Sequence, residues 1–574
     1  MKVRMSGSNV EIKPTTLADY EVFKTFPGLL KMGGRYFCAS KGPVVRNVLK
    51  RLRKYENITL DVDPSVEKFL SVGKLDEIPS NFGFRTEPLK HQMIALRFLS
   101  TNRGGGLLLD PGLGKTKVCC DFMWIEKFKR SLVVCPKPLL FVWQEEIQTH
   151  RPELTYHVFE STDWDAEYAQ AKDKDVWVMN YRKVSILIEA LLDISFDALL
   201  VDEGLVKSVS SDQTDDITRI AYKTPVRVIM SGTLVNNTAA DVFAPVRILE
   251  PSLVGTSFSK FRDEYLQTWC PDKNNKHLKA VSGAKDPGLL KEILHTCSIV
   301  MRKEEWLQLP KKHFHYIEVN IGEDAEDAYY KLLRNYALRL EGKEIVVDNP
   351  LSMMAKLSQF GNGFVYLDDD VGAQNDLLLT ERKSRKKKRT THYFKSQPKI
   401  DSLRGLLNDQ LLGKKAVVWY TMDAERVLIQ ELLTELRLPF VTVAGGDKSI
   451  PAKVREFNTN PDMRIMLCQA KTLNYGVTLL GRQCEDTEDM DEVITSISTA
   501  IYTQVFYSLT YSLEVFLQQQ DRIHRIGQKN ECHYYILVAN TPTEQKLVKA
   551  LEDKQDIREF MLEDWIHSAK AALV

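Results

Sequence analysis

Short apolar runs recur along the chain at Gly106 to Asp110, Leu132 to Cys135, Val176 to Met179, Ala198 to Asp202 and Val226 to Ser231, with stretches of helical apolar spacing between them. Brief, unbroken leucine-rich or β-branched runs alternating with helices predict a parallel sheet covered on both faces, with ligands gathering at the carboxyl ends of its strands. The cadence repeats at Ala416 to Tyr420, Phe440 to Val443, Arg464 to Cys468, Gln504 to Ser508 and Cys532 to Val538, with helical stretches such as Ala424 to Glu435 between. The fold class expected is therefore α/β, with two parallel-sheet lobes in tandem. A more helical region, roughly 234 to 395, forms an insertion between them. Residues 1–83, with apolar pieces such as Tyr36 to Cys38, form a small N-terminal α+β accessory domain that ends in the turn IPSNFGF. The expected division is 1–83 for the accessory domain, 84–320 for the first lobe with the start of the insertion from about 234, 321–395 for the helical insertion and basic linker, and 396–574 for the second lobe.

A length of 574 residues exceeds one hydrophobic core, in keeping with several domains. No apolar run approaches the roughly 18 residues that span a bilayer, which argues against a membrane role. The start MKVRMSGSNVEI lacks the apolar stretch of a secretory signal, and the nine cysteines show no CxxC spacing, so a reduced cytoplasm is expected. Net charge is only +1, so a polyanionic partner has to be met by local basic surface. Two stretches qualify. The basic run from Arg46 to Lys54 reads as a solvated helix face or as a surface touching DNA. ERKSRKKKRT, with Lys386 and Lys387 at its centre, has no apolar content to build a core and reads as an exposed linker, a phosphate-backbone contact or a nuclear address. The acidic run EDTEDMDE at 485–492 is expected in solvent.

The most specific chemistry lies in LLLDPGLGKT, residues 107–116, an apolar strand entering a glycine turn with Gly112 and Gly114. Such a turn points successive backbone N–H groups at the phosphates of a nucleotide, while Lys115 reaches the β and γ phosphates and Thr116 ligates Mg²⁺. Leu109 stands where the pattern ordinarily begins with glycine. Further on, FDALLVDE ends in Asp202 and Glu203, carboxylates at a strand tip. Asp202 is suited to hold Mg²⁺ through water and Glu203 to polarise the water attacking the γ-phosphate. VRVIM leads into Ser231, Gly232 and Thr233, small polar residues at a sheet edge where one lobe is expected to sense the other. In QQQDRIHRIGQ, residues 518–528, Arg522 and Arg525 are three apart, and on a helix they would share one face. Guanidinium groups brought to a γ-phosphate from a second lobe act as arginine fingers.

Taken in order, these motifs resemble the Swi/Snf type of helicase-superfamily-two motor, and are similar to the compact forms carried by tailed bacteriophages. The resemblance spans roughly residues 84–550. It includes EPLKHQ at 87–92, VVCPKPLLFVWQEEI at 133–147 ending near Trp143, MSGTLVNNTAADVFAPVRILEP at 230–251, MRKEEWLQLPKK at 301–312 and the terminal DRIHRIGQ. It implies two RecA-like lobes, ATP and Mg²⁺ as cofactors, and DNA gripped by its backbone without sequence preference, by a chain that needs no second copy. It further implies that Gln92 reads the adenine edge, that the stretch opening at Gln518 belongs to the nucleotide site, and that Gly476 and Thr478 of CQAKTLNYGVTLL lie near DNA phosphates. For a phage protein the host bacterial cytoplasm is the implied location. FPGLLKMGGRYFCASKGPVVRNVLKRL distantly resembles the small DNA-structure-binding modules that precede annealing-type motors of this family.

Two departures stand out. The family's paired glycines are replaced by Lys471 and Thr472, and its Asp-Glu-Ala-His reads Asp202, Glu203, Gly204, Leu205. Leucine offers no hydrogen bond toward Ser231 to Thr233, so the departure touches the coupling of hydrolysis to movement more than hydrolysis itself. The expected function is an ATP-dependent DNA translocase or helicase. An ATP-gated clamp that does not move, and an RNA helicase, are the alternatives.

Overall fold

The computed structural model describes residues 1–6, 9–25, 30–32, 35–39, 42–53, 58–71, 83–202, 211–232, 239–269, 280–340, 343–347, 350–367, 390–447, 449–470, 472, 477–481 and 499–552. The chain divides into two units, Met1–Gln308 and Leu309–Val574.

The first unit is built on seven strands in the spatial order Ser298–Met301, Gly104–Leu109, Val226–Ser231, Ala198–Asp202, Ser131–Cys135, Val176–Asn180 and Tyr156–Val158, all parallel. Gly104–Leu109, Ser131–Cys135 and Ala198–Asp202 are buried at every position, which is why they read as unbroken apolar runs and not as alternating ones. Helices connect them, and their ends are legible in the chain. Asp212–Lys223 starts where the Ser211 side chain accepts from Thr214 N–H, with Asp212 and Asp215 in the first turn and Lys223 in the last, all favourable to the helix dipole.

The second unit carries six parallel strands in the order Lys312–Val319, Cys532–Ala539, Ile501–Phe506, Lys415–Tyr420, Ile465–Gln469 and Phe440–Val443. Two wholly parallel, helix-connected sheets bear out the α/β expectation of paired RecA-like lobes. Lys312–Val319 corrects the boundary expected at residue 320. It pairs with Cys532–Ala539 at every residue and so belongs to the second sheet, with the division after Gln308. As an edge strand it is mostly half-buried or exposed, so it offers no apolar run to read. Ser298–Met301 likewise joins the first sheet from a stretch read as helical. The segment after Val319 does carry helices, Glu323–Asn335 and Pro350–Gly361. It also has two hairpins, Ala337–Leu340 with Lys343–Val346 and Phe364–Leu367 with Thr390–Tyr393. Tyr329, Leu332, Leu357 and Phe360 give it a core of its own.

The N-terminal residues form a five-stranded mixed sheet in the order Leu30–Met32, Arg35–Ala39, Asn9–Lys13, Lys2–Ser6 and Asp61–Val62, with the helix Gly42–Leu52 packed on it. Val45, Val48 and Leu49 of that helix lie in one hydrophobic cluster with Phe243, Leu253 and Ile293 of the nucleotide-lobe elements. The basic stretch is thus split. Arg46, Lys50 and Arg53 are exposed, whereas Arg51 is buried. Its guanidinium donates to the Leu253 carbonyl at 2.6 Å and to the Tyr265 hydroxyl, while Asn47 Nδ2 donates to Thr296 Oγ1 at 3.1 Å. Burial pushes the Tyr265 phenol up to about 12, against the opposing pull of Arg51. Among the described residues no helix is long and apolar enough to cross a membrane. Lys386 and Lys387, with the rest of the basic linker, and the acidic run at 485–492 lie outside the described residues.

Because Arg51→Ala leaves a buried carbonyl and a buried hydroxyl without their charged donor, it is expected to lower stability by about 2–3 kcal/mol in denaturant unfolding. Exposed Arg53→Ala should stay within about 0.5 kcal/mol. Equal effects from the two would contradict the docked arrangement.

Candidate nucleotide site

Register places the candidate residues at one edge. Leu108 pairs with Ser231 and Asp202 with Met230, so the strands that end in the phosphate loop, in Asp202 and in Ser231 finish side by side. Strand Gly104–Leu109 passes through Asp110 to Gly114 into the helix Lys115–Ile125. Gly112 (φ +88°) and Gly114 (φ +79°) adopt the left-handed conformation that side chains avoid, and Gly114 is the residue capping the helix. A helix N-terminus entered through such a turn presents unpaired N–H groups and a positive dipole end to an anion.

The loop is tied down from several sides. Asp110 N–H donates to Met301 O at 3.1 Å, and Asp110 Oδ2 accepts from Lys303 N–H at 2.8 Å. Leu113 O accepts from His91 Nε2 at 2.9 Å and from Gln92 Nε2 at 3.2 Å, both on the helix Lys90–Asn102. Gln92 Oε1 in turn accepts from Leu89 N–H at 3.0 Å. Lys115 Nζ donates back to Leu109 O at 2.8 Å. A Cβ on Gly232 would stand 3.2 Å from Pro111 Cδ, so the turn after Ser231 lies directly against the phosphate loop.

Asp202 is 5% exposed and is held twice. Trp143 Nε1 donates to its Oδ2 at 2.9 Å and the Tyr181 hydroxyl to its backbone carbonyl at 2.9 Å. Burial pushes the Cys119 thiol far up, Asp202 adds to the rise and Lys115 opposes it, so both charges act on one point of the loop helix. The half-buried Thr116 stands one residue into that helix. A hydroxyl and a carboxylate are the oxygen donors suited to Mg²⁺, which keeps most of its waters and takes few protein ligands. Thr116 and Asp202 are therefore the residues that would hold it. Among the described residues no group of three or more His, Cys, Asp or Glu side chains could hold a metal by itself.

A family model for the SNF2-related domain matches residues 59–363, more than half of the chain. The chain belongs to that family. The SNF2-related chain is 24% identical over 532 residues to the TATA-binding protein-associated factor mot1 of Schizosaccharomyces pombe, covering 80% of itself and 26% of that protein. It is 21% identical to the ATP-dependent helicase fft1 of the same organism, covering 98% of itself and 62% of the relative. It thus spans about a quarter of the one and less than two thirds of the other. A solved Sulfolobus solfataricus SWI2/SNF2 ATPase core in complex with dsDNA covers 84% of this chain and 93% of its own, at 19% identity and a TM-score of 0.38.

In the second unit of the SNF2-related chain the helix Leu513–Gln520 stops before the arginines, and Asp521 to Gly527 are turns and bends. The expectation that Arg522 and Arg525 share a helix face is corrected. What they share is an acceptor. Arg522 Nη1 and Arg525 Nη1 donate to the one carbonyl of Val477, at 3.1 and 3.2 Å, and Arg522 Nε donates to Gln518 O at 2.9 Å. Gln518, expected at the nucleotide, is buried and helps to hold Arg522. Thr478 O accepts from Asn458 Nδ2 at 3.0 Å, and Leu479 N–H donates to Arg522 O at 3.0 Å. The stretch expected beside DNA is thus hydrogen-bonded to the arginine turn. Glu203, Gly204, Leu205, Thr233, Lys471 and Gly476 lie outside the described residues.

Sequence reasoning missed the ion network behind the loop. Asp121 pairs with Lys117 at 2.7 Å and with Arg151 at 2.6 Å, and both cations lie over the Phe84 ring. The one available signal was the i, i+4 spacing of Lys117 and Asp121 on a helix. The sequence offers Trp143 only as part of a motif, and its bond to Asp202 gives it a role. Trp143→Phe keeps an aromatic side chain but removes the donor from a buried carboxylate. It is expected to destabilise by about 1.5–3 kcal/mol in denaturant unfolding and to weaken Mg²⁺-dependent nucleotide binding in calorimetry. Unchanged values in both would exclude the role.

Proposed function

We propose that this chain is an ATP hydrolase that uses the energy of hydrolysis to move along or remodel DNA. The observation that carries the reading is the phosphate loop of Gly112, Gly114 and Lys115 standing at the same sheet edge as an Asp202 clamped by Trp143. In this reading Lys115 holds the phosphates, Thr116 and Asp202 hold Mg²⁺, Glu203 orients the attacking water, and Arg522 and Arg525 meet the charge that develops on the transferred phosphoryl group. Mg²⁺ supplies charge neutralisation when bound. Gln92 contributes on the adenine side, although the two hydrogen bonds just described already commit its amide to Leu89 and Leu113. The fft1 relative is described as an ATP-dependent helicase, which supports the same reaction class. DNA is held at the phosphate backbone near Gly476, Thr478, Lys386 and Lys387, so binding is largely independent of sequence.

The test is ATP hydrolysis by the purified full chain with Mg²⁺ and single-stranded, duplex, forked or four-way DNA, or matched RNA. DNA should stimulate turnover more than RNA, and Lys115→Ala should lower it by about 10²–10³-fold. Affinity for DNA should fall as salt rises, roughly linearly on a log–log plot. A chain that hydrolyses no more ATP than its Lys115→Ala variant on any of these substrates is not this enzyme. Displacement of a third strand from a DNA triplex separates a translocase from an ATP-gated clamp, which binds DNA and leaves the triplex intact.

A further inference from the structure

The Leu113 carbonyl sits between two left-handed glycines, in a loop where each peptide plane has a job. In a trans peptide the carbonyl and the following N–H point in opposite directions, so fixing one fixes the other. Leu113 O is drawn toward the helix Lys90–Asn102 by two side-chain donors, His91 Nε2 and Gln92 Nε2. Gly114 N–H, at the opposite edge of that peptide plane, therefore points away from the helix Lys90–Asn102.

We propose that His91 is a positioning residue for the phosphate loop, holding the Leu113 carbonyl inward so that the Gly114 N–H faces a polyphosphate. The inference rests on the nucleotide reading and deepens it, since it concerns phosphate and not base. Three observations support it. A carbonyl only accepts, so His91 Nε2 carries the proton, and at 2.9 Å this is the shorter of the two bonds to Leu113 O. His91 is 1% exposed, and burial draws its imidazole below the ordinary range against the opposing pull of the bond to Leu113 O. Gln92 also packs closely on the loop, since a Cβ at Gly114 would meet its Nε2. Gln92 Nε2 is a second donor to the same carbonyl, oriented by the bond its Oε1 accepts from Leu89 N–H.

The experiment measures binding of Mg·ATP and of inorganic tripolyphosphate by calorimetry to the full chain, as wild type, His91→Ala, His91→Gln and Lys115→Ala, with the thermal midpoint of each. His91→Ala is expected to weaken both ligands by a similar factor, about tenfold, and to raise KM for ATP more than it lowers kcat. His91→Gln, whose amide N–H can reach the same carbonyl, should recover most of that loss. The inference is overturned if the alanine variant binds both ligands as wild type does, or if glutamine restores nothing in a variant with an unchanged midpoint. A loss confined to ATP would also overturn it, because that would assign His91 to the base. Wild type that binds neither polyphosphate sinks the nucleotide reading as well. Wild type that binds and fails only in Lys115→Ala sinks this inference alone.

Discussion

The in-register parallel pairing of Gly104–Leu109, Val226–Ser231 and Ala198–Asp202 is the constraint on which the site depends. Parallel pairing brings all carboxyl ends to one edge, and register decides which residues stand abreast there. A slip of one residue in Ala198–Asp202 would turn Asp202 from its present face to the other and break its bond with Trp143. Burial of Gly104–Leu109 and Ala198–Asp202 at every position supports the register, since a polar residue shifted inward would lose its partners. The geometry of that edge is therefore underwritten by apolar packing several residues away.

The interior was the legible part of the chain. Strands buried on both faces announced themselves as apolar runs, and Ala198–Asp202 and Val226–Ser231 fall where the pattern put them. Lys312–Val319 did not, because an edge strand needs one neighbour and shows half its residues to solvent. The glycine turn, Lys115 and Asp202 were legible for a different reason, since anion binding by backbone N–H groups needs glycine at fixed offsets. What escaped were contacts between residues far apart in sequence. Trp143 meets Asp202 and Arg51 meets Tyr265 only through the fold, and no local spacing marks either pair.

The accessory residues illustrate a related point. Exposed and buried cations look alike in a sequence, and the run from Arg46 to Lys54 reads as one basic stripe. Helical geometry divides it: Arg46, Lys50 and Arg53 lie on one side, and Arg51 enters the interior beside Val48 and Leu52. With its cluster shared with Phe243 and Leu253, the small N-terminal sheet is bonded to the lobe by core packing and not by a tether. The two would be expected to unfold together.

The shared carbonyl of Val477 has a consequence for how the arginine turn could rearrange. One oxygen has two lone pairs, and two guanidiniums occupy them. Arg522 is 4% exposed and is fastened again to Gln518, whereas Arg525 is half in solvent. Withdrawing Arg522 strands a charge in the interior, whereas Arg525 already reaches solvent. The pair is thus unequal by construction, one residue a rivet and the other a latch.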